Sequence, residues 1–113
     1  MRLEQHIEHG VLIIKPLEKR LEARLTEEFR AHLTRAIETG SQLVLLDLSA
    51  VTFLDSNSLS ALVLAFKLIG AEGRIALTGL AEPIMHMFHI TGLDRAFEIF
   101  GNSQEAVTTL SGQ

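Results

Sequence analysis

The chain has 113 residues, a formal net charge of −4, 47% hydrophobic residues and no cysteine. That length supports one domain around one core, and the apolar share is that of a globule rather than a disordered chain. The missing cysteines exclude disulfides, thiolate metal sites and thiol catalysis, while scattered lysines and arginines exclude the clustered footprint that nucleic acid requires.

The N-terminal MRLEQHIEHG lacks an apolar signal core, and the apolar-rich stretch Leu59 to Ile69 is too short to span a bilayer. A cytoplasmic domain without direct membrane insertion is the expectation. VLII, Val11 to Ile14, is a continuous apolar run closed by Pro16 and reads as a buried strand. Leu25, Phe29, Leu33 and Ile37 recur every fourth residue, one face of an amphipathic helix, with Gly40 placed for a left-handed cap. LVLLDLS, Leu43 to Ser49, is a second continuous run, suited to a strand covered on both faces.

The segment VTFLDSNSLSALVLAF then reads as strand end, turn and helix, the helix running from about Asn57 to Ile69. RIALT, Arg74 to Thr78, is a third strand after the turn GAEG. Pro83 fits the first turn of another helix and Gly92 its end. FEIF, Phe97 to Phe100, is a short strand. Asn102 and Glu105 give NSQE capping-box character ahead of Ala106, Val107 and Leu110. The implied order, β-β-α-β-α-β-α-β-α, is a single small α/β domain over residues 1–113, with a mostly parallel central sheet flanked by helices.

His86 and His89 lie three apart on one predicted helix, but no acidic residue on that helix completes a ligand set, so no metal site is assigned. No nucleophile elbow, P-loop or dinucleotide fingerprint is present. A hydrolase built on Ser56 or Ser58 would need an ordered histidine at the turn.

The run Asp55-Ser56-Asn57-Ser58 holds more capping residues than a helix start requires. A phosphate there would meet the unpaired N–H groups and the positive end of the helix dipole. Simple capping and a phosphorylation switch both fit these residues. Past the turn, Leu59, Leu62, Val63 and Phe66 supply a core face. Ala61, Leu64, Ala65 and Leu68 are more apolar than a solvated face needs, which suggests a docking surface.

LVLLDLSAVTFLDSNSLSAL resembles the signature of STAS domains, the anti-sigma factor antagonists and their relatives. The likeness extends to VLIIKPLEKRLEARLTEEF and to the C-terminal half, with MFHITGL, Met87 to Leu93, matching a family motif. The resemblance implies a non-enzymatic partner-switching protein without a cofactor of its own. The unphosphorylated domain would bind a serine kinase that doubles as anti-sigma factor. The kinase would use ATP to phosphorylate the domain and release it, and a serine phosphatase would reset it.

In the family pattern D-S-S-G-L the second hydroxyl residue is usually the acceptor. Here Asp55, Ser56 and Leu59 match the pattern, but Asn57 occupies the acceptor position and Ser58 the glycine position. The resemblance therefore leaves Ser56 or Ser58 as substitute acceptor, or a domain that binds without phosphorylation. Such a domain would be a subunit or scaffold of a transport, secretion or stress-signalling complex. The family's G-x-L-D loop appears as Lys19-Arg20-Leu21-Glu22, with Glu22 as the acidic residue. Glu22, Leu59, Ala61, Leu64 and Ala65 are the partner-binding residues the resemblance implies.

Overall fold

The apolar runs become the interior strands of a five-stranded sheet. In the computed structural model, which describes residues 1–112, the elements in chain order are β1 (Leu3–Glu8), β2 (Val11–Pro16), β3 (Arg20–Leu21), α1 (Arg24–Glu38), β4 (Leu43–Asp47), β5 (Phe53–Leu54), α2 (Ser56–Ile69), β6 (Arg74–Thr78), α3 (Glu82–Thr91), α4 (Leu93–Ala96), β7 (Glu98–Phe100) and α5 (Ser103–Ser111). The sheet order is β1-β2-β4-β6-β7, with β1 antiparallel to β2 and every other pair parallel. The mostly parallel α/β architecture is as the sequence predicts.

Both faces of the central strands are covered, which is why their sequences run apolar without alternation. Leu12, Ile14, Val44, Leu46, Ile75 and Leu77 pack under α1, α2 and α3, around Phe29, Leu33, Leu62, Ile84 and Phe88. Val11, Ile13, Leu45 and Ala76 face the other way and meet Ala106, Val107 and Leu110 of α5. Gly92 adopts φ 77° and ends α3, and the Asn102 side chain caps α5 by accepting from the Glu105 N–H at 2.8 Å.

Three features depart from the sequence reading. β1 has no apolar periodicity to mark it in the sequence; a two-residue loop, His9 at φ 50° and Gly10 at φ 79°, folds it onto β2 as a type I′ hairpin. β3 and β5 form a separate parallel pair, Arg20 beside Phe53 and Leu21 beside Leu54. Finally, α1 buries Thr26, Phe29, Leu33 and Ala36, leaving Leu25 and Ile37 half-buried. The buried face is turned by about one residue because the Thr26 hydroxyl is bonded into the turn that starts α2. Among the described residues no helix is long and apolar enough to cross a membrane.

Candidate functional site

Asp55 ties three elements together. Extended backbone at Asp55 (φ −81°, ψ 173°) makes it the N-cap of α2, and its Oδ1 accepts from the Ser58 N–H at 2.8 Å. The same oxygen accepts from the Thr26 hydroxyl at 3.1 Å, and Oδ2 accepts from the Ala23 N–H at 3.3 Å. Its own N–H donates to the Leu21 carbonyl at 3.1 Å. The carboxylate thus satisfies orphan donors at the starts of both α1 and α2. Partial burial pulls the Asp55 carboxyl upward, but hydrogen bonds from Ser58, Thr26 and Ala23 outweigh it and hold it below the usual aspartate value.

Ser58 is fully buried. Its hydroxyl donates to the Leu21 carbonyl at 2.9 Å and sits 2.8 Å from the Thr26 hydroxyl, also buried. The Ser58 proton goes to the Leu21 carbonyl and the Thr26 proton to the Asp55 carboxylate, with the two hydroxyl oxygens in contact. A serine in this position fills, with a polar latch, the space the family pattern leaves to glycine. Of the two candidate acceptors, Ser58 is thus the one whose hydroxyl is buried and already engaged.

Ser56 and Asn57 are the exposed pair. Neither side chain hydrogen-bonds to another described residue, and the Ser56 carbonyl accepts from the Ser60 hydroxyl at 3.0 Å. Beside them, the β3–β5 pair sets the Arg20 guanidinium 4.1 Å from the centroid of the Phe53 ring. Glu22 holds Arg20 through two contacts of 2.9 and 3.3 Å. Glu22 lies between β3 and α1 with its carboxylate already engaged by Arg20.

The expected docking face of α2 needs a further correction. Ala61 and Ala65 are 2% exposed and belong to the core, and Leu59 is half-buried against it. The buried face runs through Ser58, Ala61, Leu62 and Ala65, and its three small residues let α2 lie close on its neighbours. Of the residues named, Leu64 stays exposed, together with Leu68 and Phe66, whose ring rests edge-on against Phe97 at 5.3 Å. Helical spacing aligns Asn57, Leu64 and Leu68 on one stripe.

Sequence reasoning missed Thr26, Ala23 and Phe53. Ala23 carries φ 56° and ψ −133°, a region that glycine alone adopts without strain. Asp55 holds it there through the Ala23 N–H. Ala23→Gly is expected to stabilise the domain by about 1 kcal/mol, the relieved strain exceeding glycine's greater unfolded-state entropy. A urea titration showing a lower midpoint would contradict that strain.

Among the described residues, no histidine hydrogen-bonds to Ser56 or Ser58. His89 is on α3 with Nδ1 3.0 Å from Asp94 Oδ2, so no base is ordered at the turn. A hydrolase on these serines has no support in this geometry.

The STAS domain family model matches residues 3–106. An anti-sigma F factor antagonist of Paenibacillus polymyxa is 28% identical, with 97% of each chain covered. A candidate anti-sigma factor antagonist of Thermotoga maritima has a crystal structure superposing with a TM-score of 0.87 at 26% identity, covering 96% of this chain and 93% of that one. A Mycobacterium paratuberculosis structure described as an anti-sigma factor antagonist superposes equally well, TM-score 0.87, over 96% and 92% of the two chains; at 21% identity it supports the fold alone. With its sheet order, its capped turn and a family match over nearly its whole length, the chain belongs to the STAS domain family.

Proposed function

We propose that this domain is an anti-sigma factor antagonist of a bacterial partner-switching circuit, with Ser56 as its phosphate acceptor. The observation that carries the reading is the division of labour at the turn: Ser58 is sealed in the core while Ser56 is exposed at the first position of α2. The relative from Paenibacillus polymyxa bears the name anti-sigma F factor antagonist, which supports the same role.

In this reading the chain binds and does no chemistry itself. Its partner is a cytoplasmic serine kinase that is also the anti-sigma factor and consumes the ATP, and a serine phosphatase reverses the step. Docking uses Asn57, Leu64 and Leu68 with the Arg20–Phe53 platform. A phosphate on Ser56 adds roughly two negative charges beside ionised Asp55. The start of α2 tolerates it, because the helix dipole favours an anion there. A partner packed on the turn does not, since it would have to desolvate that charge.

The experiment is a pull-down with the unmodified domain, followed by titration calorimetry with the captured kinase. Binding is expected to fall about 100-fold or more for Ser56→Asp. Equal affinity for both forms would exclude the switch. A second reading is favoured by Asn57 itself, an amide that cannot accept phosphate in the family's acceptor position: the domain is then a constitutive binding subunit, and kinase with ATP leaves its mass unchanged.

A further inference from the structure

The first strand has a free edge whose pattern matches itself. Among the described residues β1 pairs only with β2, and its side chains are almost all exposed, Ile7 at 71%. Edge strands are commonly blunted by lysine, proline or a bulge; LEQHIE contains neither lysine nor proline, and its register against β2 is unbroken from Leu3 to Glu8.

The hairpin geometry fixes which backbone groups face outward. Glu8 and Val11 flank the two-residue loop and exchange hydrogen bonds with each other. Alternation then turns the N–H and C=O groups of Glu4, His6 and Glu8 toward β2. Those of Leu3, Gln5 and Ile7 point out of the sheet edge. Side chains alternate as well: Leu3, Gln5 and Ile7 lie on the face of Leu12 and Ile14, and Glu4, His6 and Glu8 on the face of Val11 and Ile13.

We propose that two copies of this chain pair through β1 in an antiparallel ladder centred on Gln5, joining their sheets. A two-fold axis perpendicular to the sheet keeps the faces matched, so the ladder must centre on a residue. Centred on Gln5, outward-facing Leu3 meets Ile7 of the second copy, and Gln5 meets its own counterpart. On the other face Glu4 lies opposite His6, and Arg2 opposite Glu8. Arg2 is 75% exposed and 3.6 Å from Glu18, leaving guanidinium donors to spare. A centre at Glu4 would set two Glu4 carboxylates together, and one at His6 would set Glu4 against Glu8. A centre at Leu3 or Ile7 shortens the ladder. Gln5 alone combines a long ladder, apolar pairs and opposed charges. So short an interface falls below the roughly 1,200–2,000 Å² of a standard one, which makes the dimer reversible and concentration-dependent. It is independent of the partner-switching role.

The test uses the absence of native cysteines. In a hydrogen-bonded antiparallel pair the Cα atoms are about 5.5 Å apart, within disulfide range. Gln5→Cys is therefore expected to form a covalent dimer under mild oxidation, and Ile7→Cys, placed against Leu3, to form little. Sedimentation velocity of the unmodified chain is expected to show dimer growing with concentration. Glu4→Lys should raise the dissociation constant about tenfold or more by removing the carboxylate that faces His6 twice per dimer. The swap Glu4→Lys with His6→Glu should restore it to within about threefold. Circular dichroism checks that each variant folds, since position 4 also neighbours Lys15. Monomer at every concentration, or Ile7→Cys cross-linking as fast as Gln5→Cys, overturns the proposal.

Discussion

Ser58→Asp is expected to unfold the domain, while Ser56→Asp leaves it folded and unable to hold its partner. The two residues are two positions apart on α2, yet their surroundings are opposite. At Ser58 a carboxylate would be fully buried, pointing at the Leu21 carbonyl and the Asp55 carboxylate, both acceptors. Burying an unpaired charge costs several kcal/mol even after relaxation, a large part of the roughly 5–15 kcal/mol that holds a domain together. At Ser56 the added carboxylate sits in water at the first turn of α2, where the dipole favours it by about 0.3–1 kcal/mol. Thermal melts followed by circular dichroism separate the cases. Ser58→Asp should show no cooperative transition or a midpoint lowered by more than ten degrees or so, and Ser56→Asp a midpoint within a few degrees of the parent. Matching melts would mean that Ser58 is not sealed in the core.

The second large effect concerns Asp55. Asp55→Ala removes the cap of α2, worth about 1 kcal/mol, and leaves the Thr26 hydroxyl and Ala23 N–H without their charged acceptor. Hydrogen bonds to charged groups contribute about 1.5–3 kcal/mol each, though less where water can replace them. A total loss near 3 kcal/mol follows. The pH dependence has a fixed sign. Because the folded carboxyl lies below its unfolded value of about 3.9, its contribution is complete above that value and is lost as pH falls through the lower folded one. The stability difference between parent and Asp55→Ala should therefore be flat from about pH 5 to 7 and shrink below about pH 4. Taking the difference cancels Glu18, whose carboxyl is also lowered, chiefly by the Arg2 backbone N–H. A difference that stayed constant down to pH 2 would mean Asp55 is not held ionised.

The central strands were legible because burial on both faces leaves a simple trace, an unbroken apolar run. β1 left none: among the described residues β2 alone pairs with it, so its residues answer to solvent and Ile7 looks accidental. The site was legible in place but not in detail. Asp55 as a cap follows from local chemistry. That Ser58 faces inward does not, because polar residues are expected outside and the bond to Thr26 joins residues 32 apart in sequence. On α2 the buried face runs through Ser58, so Ala61 and Ala65 are core, and of that apolar group Leu64 and Leu68 are exposed. Ala23 gave no sequence signal at all, since its strain is imposed by Asp55 across the fold.

The central claim is that Ser56 carries the switch while Ser58 carries the fold. Incubation with the captured kinase and ATP, followed by fragmentation mass spectrometry of the peptide spanning Phe53 to Lys67, tests it most directly. The account predicts a single phosphate on Ser56, absent from Ser56→Ala. Phosphate on Ser58, or none at all with an active kinase that binds the domain, would contradict it.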